Sequence, residues 1–178
     1  MVEGLVYTEE FVSAAEEQAL LDAFSALDFR PVVMHGQESK RTVRMFGLDY
    51  AYESRALVPT EPWPAQLEWL RERAAGLIER EPADLAQVLV SRYPPGAGIG
   101  WHRDAPAFGS SIVGVSLLSS SRMRFQRRVS GEREVEAVEL APRSAYVLSG
   151  PARWSWQHSI PATKELRWSV TFRTLRRS

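Results

Sequence analysis

The chain has 178 residues, of which 44% are hydrophobic and 25% are charged, and its formal net charge at pH 7 is zero. These values are typical of one globular domain and argue against a disordered chain or a long coiled coil. The absence of cysteine excludes disulfide bonds, a thiol nucleophile, zinc–thiolate sites and iron–sulfur clusters built from this chain.

The first residues, MVEGLVYTEEF, carry acidic side chains and lack the basic start of a signal peptide. No apolar run in the sequence approaches the roughly 18 residues that a membrane-spanning helix needs. We therefore expect a cytoplasmic protein that acts as a monomer and has no membrane partner.

Two amphipathic helices are predicted in the first half of the chain. Residues 13–28 have an apolar stripe at helical spacing, and Ser13 followed three residues later by Glu16 is typical of a capping box. A second helix is predicted over residues 64–79, because a proline suits its first position. Between the helices, residues 30–62 show no clear period, and we interpret part of this stretch as a lid.

After residue 85 the sequence changes to short runs rich in β-branched and aromatic residues, separated by proline and glycine turns. The predicted strands cover residues 86–93, 111–118, 122–128, 133–140, 144–150 and 166–175. Several short strands at regular spacing predict a sandwich or barrel. We therefore predict a single domain, 1–178, that is mainly β with flanking α. In it, residues 1–85 supply helices and a substrate lid, and residues 86–178 form a jelly-roll core.

His102 and Asp104 are two residues apart, directly after a turn rich in proline and glycine. On an extended chain this spacing turns both side chains to one face. A histidine and a carboxylate are two of the three ligands in the facial triad of non-haem Fe(II) enzymes. The third ligand must be His158 or His35, the remaining histidines. Taken alone, the His-x-Asp pair is more often a surface pair or a hydrogen-bonded pair in the core than a metal site.

Arg167 and Arg173 are six residues apart in the last predicted strand and share a face with Ser169 and Thr171. Two arginines that face a core are costly unless an anion neutralises them. A guanidinium matches a carboxylate through two parallel hydrogen bonds, which indicates an acidic ligand. The alternative is a solvated edge strand close to the basic C-terminus.

Together these motifs resemble the AlkB family of Fe(II)/2-oxoglutarate-dependent dioxygenases. The stretch SRYPPGAGIGWHRD (91–104) is similar to the family pattern Asn-x-Tyr-x-x-Gly…His-x-Asp. ARWSWQHSIP (152–161) resembles the segment around the family's distal histidine, and LRWSVTFR (166–173) resembles its strand with two arginines. The similarity extends more loosely over RTVRMFGLDYAYE (41–53). Three motifs in the same order are far more specific than any one of them.

The resemblance implies a double-stranded β-helix fold that uses Fe(II), 2-oxoglutarate and O₂. The iron ligands that it implies are His102, Asp104 and His158. It implies that Arg167 and Tyr93 contact 2-oxoglutarate and that Arg173 supports the site. Ser91 and Ser169, also in the co-substrate site, stand where family members often have asparagine, and each lacks an amide donor.

Substrate contacts are predicted within residues 41–53, where aromatic and basic side chains are interleaved. The candidates for holding a flipped base and its phosphates are Arg41, Arg44, Met45, Phe46, Tyr50 and Tyr52. The alternative is that these aromatic residues anchor the lid to the core. A second basic row, Arg122, Arg124, Gln126 and Arg128, lies on one predicted strand. It either contacts a phosphate backbone or covers an exposed sheet.

From the resemblance we predict oxidative N-demethylation of alkylated bases in single-stranded or damaged DNA or RNA, an activity of DNA repair. Residues 122–178 hold twelve basic and five acidic residues, which favours an anionic partner for this part of the chain. Two alternatives stay open. One is a related dioxygenase that acts on a protein or a small molecule, and the other is a non-catalytic β-barrel binding module.

Overall fold

Thirteen β-strands and three α-helices form within residues 1–51 and 54–177, the part of the chain that the computed structural model describes. In chain order they are β1 (Leu5–Thr8), α1 (Ala14–Ser25), β2 (Arg30–Met34), β3 (Gln37–Phe46), β4 (Leu48–Ala51), β5 (Ala56–Pro59), α2 (Glu68–Leu77), β6 (Gln87–Tyr93), β7 (Ile99–His102), β8 (Phe108–Leu117), β9 (Ser121–Val129), β10 (Glu132–Leu140), β11 (Ser144–Leu148), α3 (Gly150–Trp154), β12 (Gln157–Ile160) and β13 (Arg167–Leu175). Single 3-10 turns, Ala65–Leu67 and Pro82–Asp84, flank α2.

Helix α1 begins at the predicted capping box. Ser13 Oγ accepts a hydrogen bond from the Glu16 amide at 3.1 Å, and the Glu16 carboxylate accepts one from the Ser13 amide at 2.8 Å. Helix α2 is shorter than predicted, because residues 65–67 form a 3-10 turn and the last turn ends at residue 77. None of the helices in the described part of the chain is long and apolar enough to cross a membrane.

Two antiparallel sheets face each other. The major sheet has the strand order β1-β11-β8-β13-β6-β3-β2, and the minor sheet has the order β10-β9-β12-β7. Strands β4 and β5 form a separate two-stranded sheet. Helices α1 and α2 pack on the outer side of the major sheet, in a core that includes Leu20, Phe24, Leu70 and Ala74. This jelly roll, a double-stranded β-helix, agrees with the predicted mainly-β fold with flanking helices.

The first 85 residues contribute more to the sheets than their pattern indicated. The stretch 30–62, which shows no clear period, forms strands β2 to β5, and β1, β2 and β3 belong to the major sheet. Strand β3 lacks a simple polar–apolar alternation because a charged residue occupies its buried side. Arg41, Val43 and Met45 are buried on the cavity side, and Phe46 is buried on the helix side. Polarity therefore does not mark which face of this strand is buried.

Strand β13 lies between β8 and β6, near the centre of the major sheet. As predicted from the sequence, Val170 and Phe172 enter the core beneath the helices. Arg167 and Arg173 alternate to the other side and line the cavity between the sheets. The alternative of a solvated edge strand is therefore wrong, since both arginines are buried in the middle of the sheet.

Phe46 is expected to contribute to stability rather than to substrate contact. It is 2% exposed in the helix-side core and meets Trp63 edge to face at 5.4 Å. Phe46→Ala should lower the free energy of unfolding by about 3–5 kcal/mol, the usual cost of emptying such a site. Urea denaturation measures this loss, and Val135→Ala, at an exposed position, is the control with little effect. Wild-type stability in Phe46→Ala would contradict the assignment.

Candidate metal centre and co-substrate pocket

His102, Asp104 and His158 converge between the sheets. Strand β7 ends at His102, β12 begins one residue before His158, and antiparallel pairing makes the two histidines direct partners. Asp104 Oδ1 lies 3.4 Å from His158 Nε2 and 3.9 Å from His102 Nε2. One ligand atom from each residue lies within 4.8 Å of the others. His35 instead occupies the exposed turn between β2 and β3. Of the two candidate histidines, the one in the cluster is therefore His158.

Arg173 orients the Asp104 carboxylate. Its Nε donates to Asp104 Oδ2 at 2.8 Å, while its Nη1 donates to Gln87 Oε1 at 2.9 Å. Burial is the largest single influence on Asp104 and opposes ionisation, but Arg173 and the two imidazoles together outweigh it and hold the pKa of this carboxyl well below its usual value. The carboxylate is therefore ionised, with one oxygen engaged by Arg173 and the other facing both imidazoles.

His102 is prepared to act as a neutral ligand. Its Nδ1 lies 2.8 Å from the Gly100 carbonyl oxygen, which leaves Nε2 directed towards Asp104. Burial, followed by the nearby His158, lowers the pKa of His102 to about 4. The ring therefore stays neutral at pH 7, as metal coordination requires. Two imidazoles and one ionised carboxylate are the donor set of a non-haem Fe(II) site, so the residues fit that metal.

Arg153 of α3, which the sequence reasoning missed, holds the loop that carries Asp104. Its side chain is 2% exposed and donates hydrogen bonds to four backbone carbonyls. The acceptors, at 2.9–3.2 Å, are the carbonyl oxygens of Asp104, Ala105, Phe108 and Gly109. Burial among these uncharged groups lowers the pKa of Arg153. The available signal was its place in the motif at 152–161, five residues before His158.

Replacing Arg153 with methionine should weaken metal binding. The change removes the side-chain donor to four carbonyls of the 104–109 loop, so the backbone of Asp104 is held less firmly. We expect the affinity for Mn(II), measured by calorimetry, to fall by about 10–100-fold, the usual cost of losing a group that orients a metal ligand. Arg80→Met, at an exposed position beyond α2, is the control. Wild-type affinity in Arg153→Met would show that the loop holds its shape alone.

Arg167 offers a buried hydrogen-bond donor to the cavity. It is 1% exposed, its Nε donates to Ser116 Oγ at 3.1 Å, and its guanidinium lies 5.0 Å from the centre of the Tyr93 ring. Its buried Nη1 has no hydrogen-bond partner among the described residues. A buried cationic donor without a partner is costly, and a carboxylate bound in the cavity would satisfy it. Ser116 is a further residue that the sequence reasoning missed.

The two serines that replace family asparagines face each other across β6 and β13. Ser91 and Ser169 are register partners, and both line the cavity. Arg41 of β3 reaches the same place, where its Nη1 donates to Ser91 Oγ at 3.2 Å. Its guanidinium also lies 5.9 Å from the Tyr93 ring. Arg41 therefore supplies N–H donors to the part of the cavity lining where Ser91 has only a hydroxyl and an asparagine would have an amide.

The cavity between the sheets has a volume of about 740 Å³, including its open mouth. All the predicted iron and co-substrate residues line it: Ser91, Tyr93, His102, Asp104, His158, Arg167, Ser169 and Arg173. Tyr146, which the sequence reasoning also missed, lines it too, and burial raises the pKa of its phenol. The phenol is therefore protonated at neutral pH and is a hydrogen-bond donor.

The predicted substrate residues divide between the two sides of the major sheet. Arg41 and Tyr50 line the cavity. Met45 packs beneath Tyr50, whose amide donates to its sulfur. Arg44 and Phe46 point to the opposite side, where Arg44 pairs with Glu61 and Phe46 enters the helix-side core. Tyr52 lies outside the described residues. Because successive residues of a strand face opposite sides, β3 separates side chains that the sequence placed together.

Comparison with known proteins agrees with this geometry. Residues 4–173 match the model of the 2OG-Fe(II) oxygenase superfamily. The chain is 31% identical over 175 residues to the tRNA (carboxymethyluridine(34)-5-O)-methyltransferase ALKBH8 of Macaca fascicularis, covering 90% of this chain and 24% of that protein. It is 30% identical over 190 residues to the alkylated DNA repair protein ALKBH8 homolog of Arabidopsis thaliana, covering 92% of this chain and 52% of that protein. The chain thus spans about a quarter of the length of the macaque protein and about half of the length of the Arabidopsis protein.

Solved structures share the fold. The structure of OsALKBH1 superposes with a TM-score of 0.77 at 15% identity, covering 96% of each chain. A prolyl-4-hydroxylase of Pseudomonas putida superposes with a TM-score of 0.66 at 15% identity, covering 97% of this chain and 93% of that one. The match of residues 4–173 to an oxygenase family model, rather than these structures, contradicts the alternative of a non-catalytic binding module. The chain belongs to the 2OG-Fe(II) oxygenase superfamily and is an AlkB-like Fe(II)/2-oxoglutarate-dependent dioxygenase.

Proposed function

We propose that the protein removes N-methyl groups oxidatively from alkylated bases of DNA or RNA. The observation that carries this proposal is that Tyr50 and Arg41 both line the cavity that His102, Asp104 and His158 line. An aromatic ring and a guanidinium are the groups that stack on a flipped base and bind its acceptors. Both come from the 41–53 segment, in which base contacts are predicted.

Each part of the site has a separate role. His102, Asp104 and His158 would hold Fe(II), and Arg167 with Tyr93 would hold the distal carboxylate of 2-oxoglutarate. When bound, Fe(II) would allow O₂ to oxidise 2-oxoglutarate to succinate and CO₂ and to hydroxylate a C–H bond of the substrate, one oxygen atom entering succinate and the other entering the hydroxyl group. Arg173 keeps Asp104 ionised and oriented. The hydroxymethyl group formed on a base nitrogen breaks down to formaldehyde and the free N–H.

The names of the relatives support a nucleic acid as the substrate class. The macaque protein is named for a tRNA modification and the Arabidopsis protein for the repair of alkylated DNA. Those names describe proteins much longer than the matched segment, so the substrate of this chain is our proposal. The monomeric state and the cytoplasmic location also stay predictions, and light scattering after gel filtration checks the first.

The test is incubation with N-methylated single-stranded DNA and RNA oligonucleotides, with Fe(II) and 2-oxoglutarate. We expect formaldehyde and succinate in equal amounts, with a rate that falls as salt rises, because phosphate contacts weaken in salt. An N-methylated peptide and a methylated free nucleobase are the competing substrates. If one of these is oxidised and no oligonucleotide is, the runner-up function, a protein or small-molecule dioxygenase, takes the place of the proposal.

Arg41 and Arg44 form a matched pair for the substrate assignment. Arg41 lines the cavity, whereas Arg44 faces away from it, although only three positions separate them. Arg41→Met should raise the KM for the oligonucleotide at least about tenfold, as expected for the loss of a hydrogen bond from a charged donor. Arg44→Met should leave it within about twofold, since a surface ion pair contributes little. Equal effects of the two substitutions would contradict the assignment.

A further inference from the structure

The outer face of the minor sheet carries an arginine cluster that the reaction site does not use. On β9 the outward side chains are those of Arg122, Arg124, Gln126 and Arg128, and the register with β10 adds Arg133 and Glu139 to the same face. Trp101 of β7 lies there as well, because Arg124 and Arg133 stack against it. We call this surface, defined by Trp101, Arg122, Arg124, Gln126, Arg128 and Arg133, the basic face.

The charges of the β9–β10 hairpin are sorted between its two sides. The remaining acidic residues of β10 are Glu132, Glu134 and Glu136, which alternate with Arg133 and lie on the opposite side. On the basic face, Arg122 pairs with Glu139 at 3.3 Å. Arg124, Arg128 and Arg133 have no carboxylate partner among the described residues. The face therefore carries several uncompensated positive charges, which suits an anionic partner.

The guanidinium groups of the basic face are held in place. The Arg124 and Arg133 Cζ atoms lie 5.0 Å and 5.8 Å from the centre of the Trp101 ring. Arg133 Nε donates to Gln126 Oε1 at 2.9 Å, and Arg128 Nη1 donates to the Gly131 carbonyl at 3.2 Å. These contacts reduce the ordering cost of binding a ligand. They also leave other N–H groups of each guanidinium available, since each has five.

The basic face adjoins the reaction site. Trp101 precedes the iron ligand His102 on β7, which is the edge strand of the minor sheet. Successive residues of a strand face opposite sides, so a chain that crosses this edge passes from the basic face to the cavity. His102 is also partly exposed, with 31% of its side chain accessible. A polymer bound on the basic face can thus deliver one of its units to the iron ligands.

We propose that the basic face binds the phosphodiester backbone of the polynucleotide strand next to the target base. This inference rests on the proposed function. Arg124 and Arg128, four positions apart on β9, are about 13 Å apart along the chain, a spacing comparable with that of two successive phosphate steps in an extended strand. The cluster contains arginine and no lysine, and the planar guanidinium suits phosphate oxygens.

Fluorescence anisotropy with an unmodified, labelled single-stranded oligonucleotide of 20 nucleotides tests the inference without any turnover. Arg124→Glu should weaken binding at least about tenfold, and the neutral Arg124→Gln should reduce the slope of log affinity against log salt by about 1. Arg80→Glu makes the same change in charge at an exposed position beyond α2 and should leave binding within about twofold. Thermal melts identify any variant that fails to fold, and Arg133→Gln then repeats the test.

Three outcomes distinguish polynucleotide binding from binding of an acidic protein, and separate this inference from the proposed function. If Arg124→Glu and Arg133→Gln bind the oligonucleotide as the wild type does, the inference is overturned, whatever the demethylation assay shows. If polyglutamate of matched charge competes as well as an unlabelled oligonucleotide, the partner is an acidic protein and the inference is also overturned. If binding depends on Arg124 while no methylated oligonucleotide is oxidised, the basic face stands as a polynucleotide site and the proposed function fails.

Discussion

Replacing His158 with alanine should lower iron-dependent succinate production by more than about a hundredfold, since losing even a group that only orients a ligand costs 10–100-fold. His158 Nε2 lies 3.4 Å from Asp104 Oδ1, and one ligand atom from each of His102, Asp104 and His158 lies within 4.8 Å of the others. Removing His158 leaves two ligands, too few to hold the metal against exchange with water. The same substitution should abolish tight Mn(II) binding, as measured by calorimetry. Asp104→Ala and His102→Ala should have comparable effects.

His35→Ala is the matched control for these variants. His35 lies in the exposed turn between β2 and β3, away from the cluster, so its loss should leave both turnover and metal affinity unchanged. His158→Gln keeps most of the buried volume and separates loss of the ligand from loss of packing. The triad assignment fails if His158→Ala and His158→Gln both retain wild-type metal affinity.

Arg167→Met should raise the KM for 2-oxoglutarate by about two to four orders of magnitude, because breaking a buried ion pair costs about 3–5 kcal/mol. The guanidinium is fully enclosed, fixed on Ser116 and stacked over Tyr93. Its Nη1 has no hydrogen-bond partner among the described residues, so an anion bound beside it would satisfy a buried donor. Measurement of succinate formation against 2-oxoglutarate concentration checks the shift. Maximum turnover should fall less than affinity, since Arg167 is not part of the metal cluster.

Arg92→Met is the control on the neighbouring strand. Arg92 is the register partner of Trp168, and its guanidinium lies over that ring on the helix side of the sheet. Its substitution should leave the 2-oxoglutarate requirement within about twofold, as is usual for a surface position. Arg167→Lys keeps the positive charge but loses the two parallel N–H donors of the guanidinium. Its KM for 2-oxoglutarate should therefore fall between those of the wild type and Arg167→Met. An unchanged KM in Arg167→Met would contradict the co-substrate assignment.

The sequence was most informative where periodicity and motif coincided. Strand β13 was predicted over residues 166–175, and its alternation assigned Phe172 to the core and Arg173 to the cavity side, as the structure has them. The capping box fixed the start of α1 through a local contact between Ser13 and Glu16. Both features depend on residues close in the chain, so local pattern was sufficient.

Local pattern was insufficient where distant elements meet. Arg153 holds the 104–109 loop across more than forty residues of sequence, and no spacing rule connects the two. The four-residue strands β7 and β12 are too short to show a period, although their pairing brings His102 and His158 together. Phe46 was expected beside the substrate, but β3 places it in the opposite core, because tertiary packing decides which face of a covered strand meets which layer.

The residues that line the cavity belong to elements of different local stability. Arg167 lies on β13, which is hydrogen-bonded to strands on both sides, whereas His102 and Asp104 lie on an edge strand and the loop that follows it. Backbone amides of a central strand exchange their hydrogens only in near-global opening, while edge strands and loops open by small fluctuations. Brief local opening would therefore separate the groups of the His102–Asp104 side while the wall that carries Arg167 stays formed, so a metal held there could exchange without global unfolding.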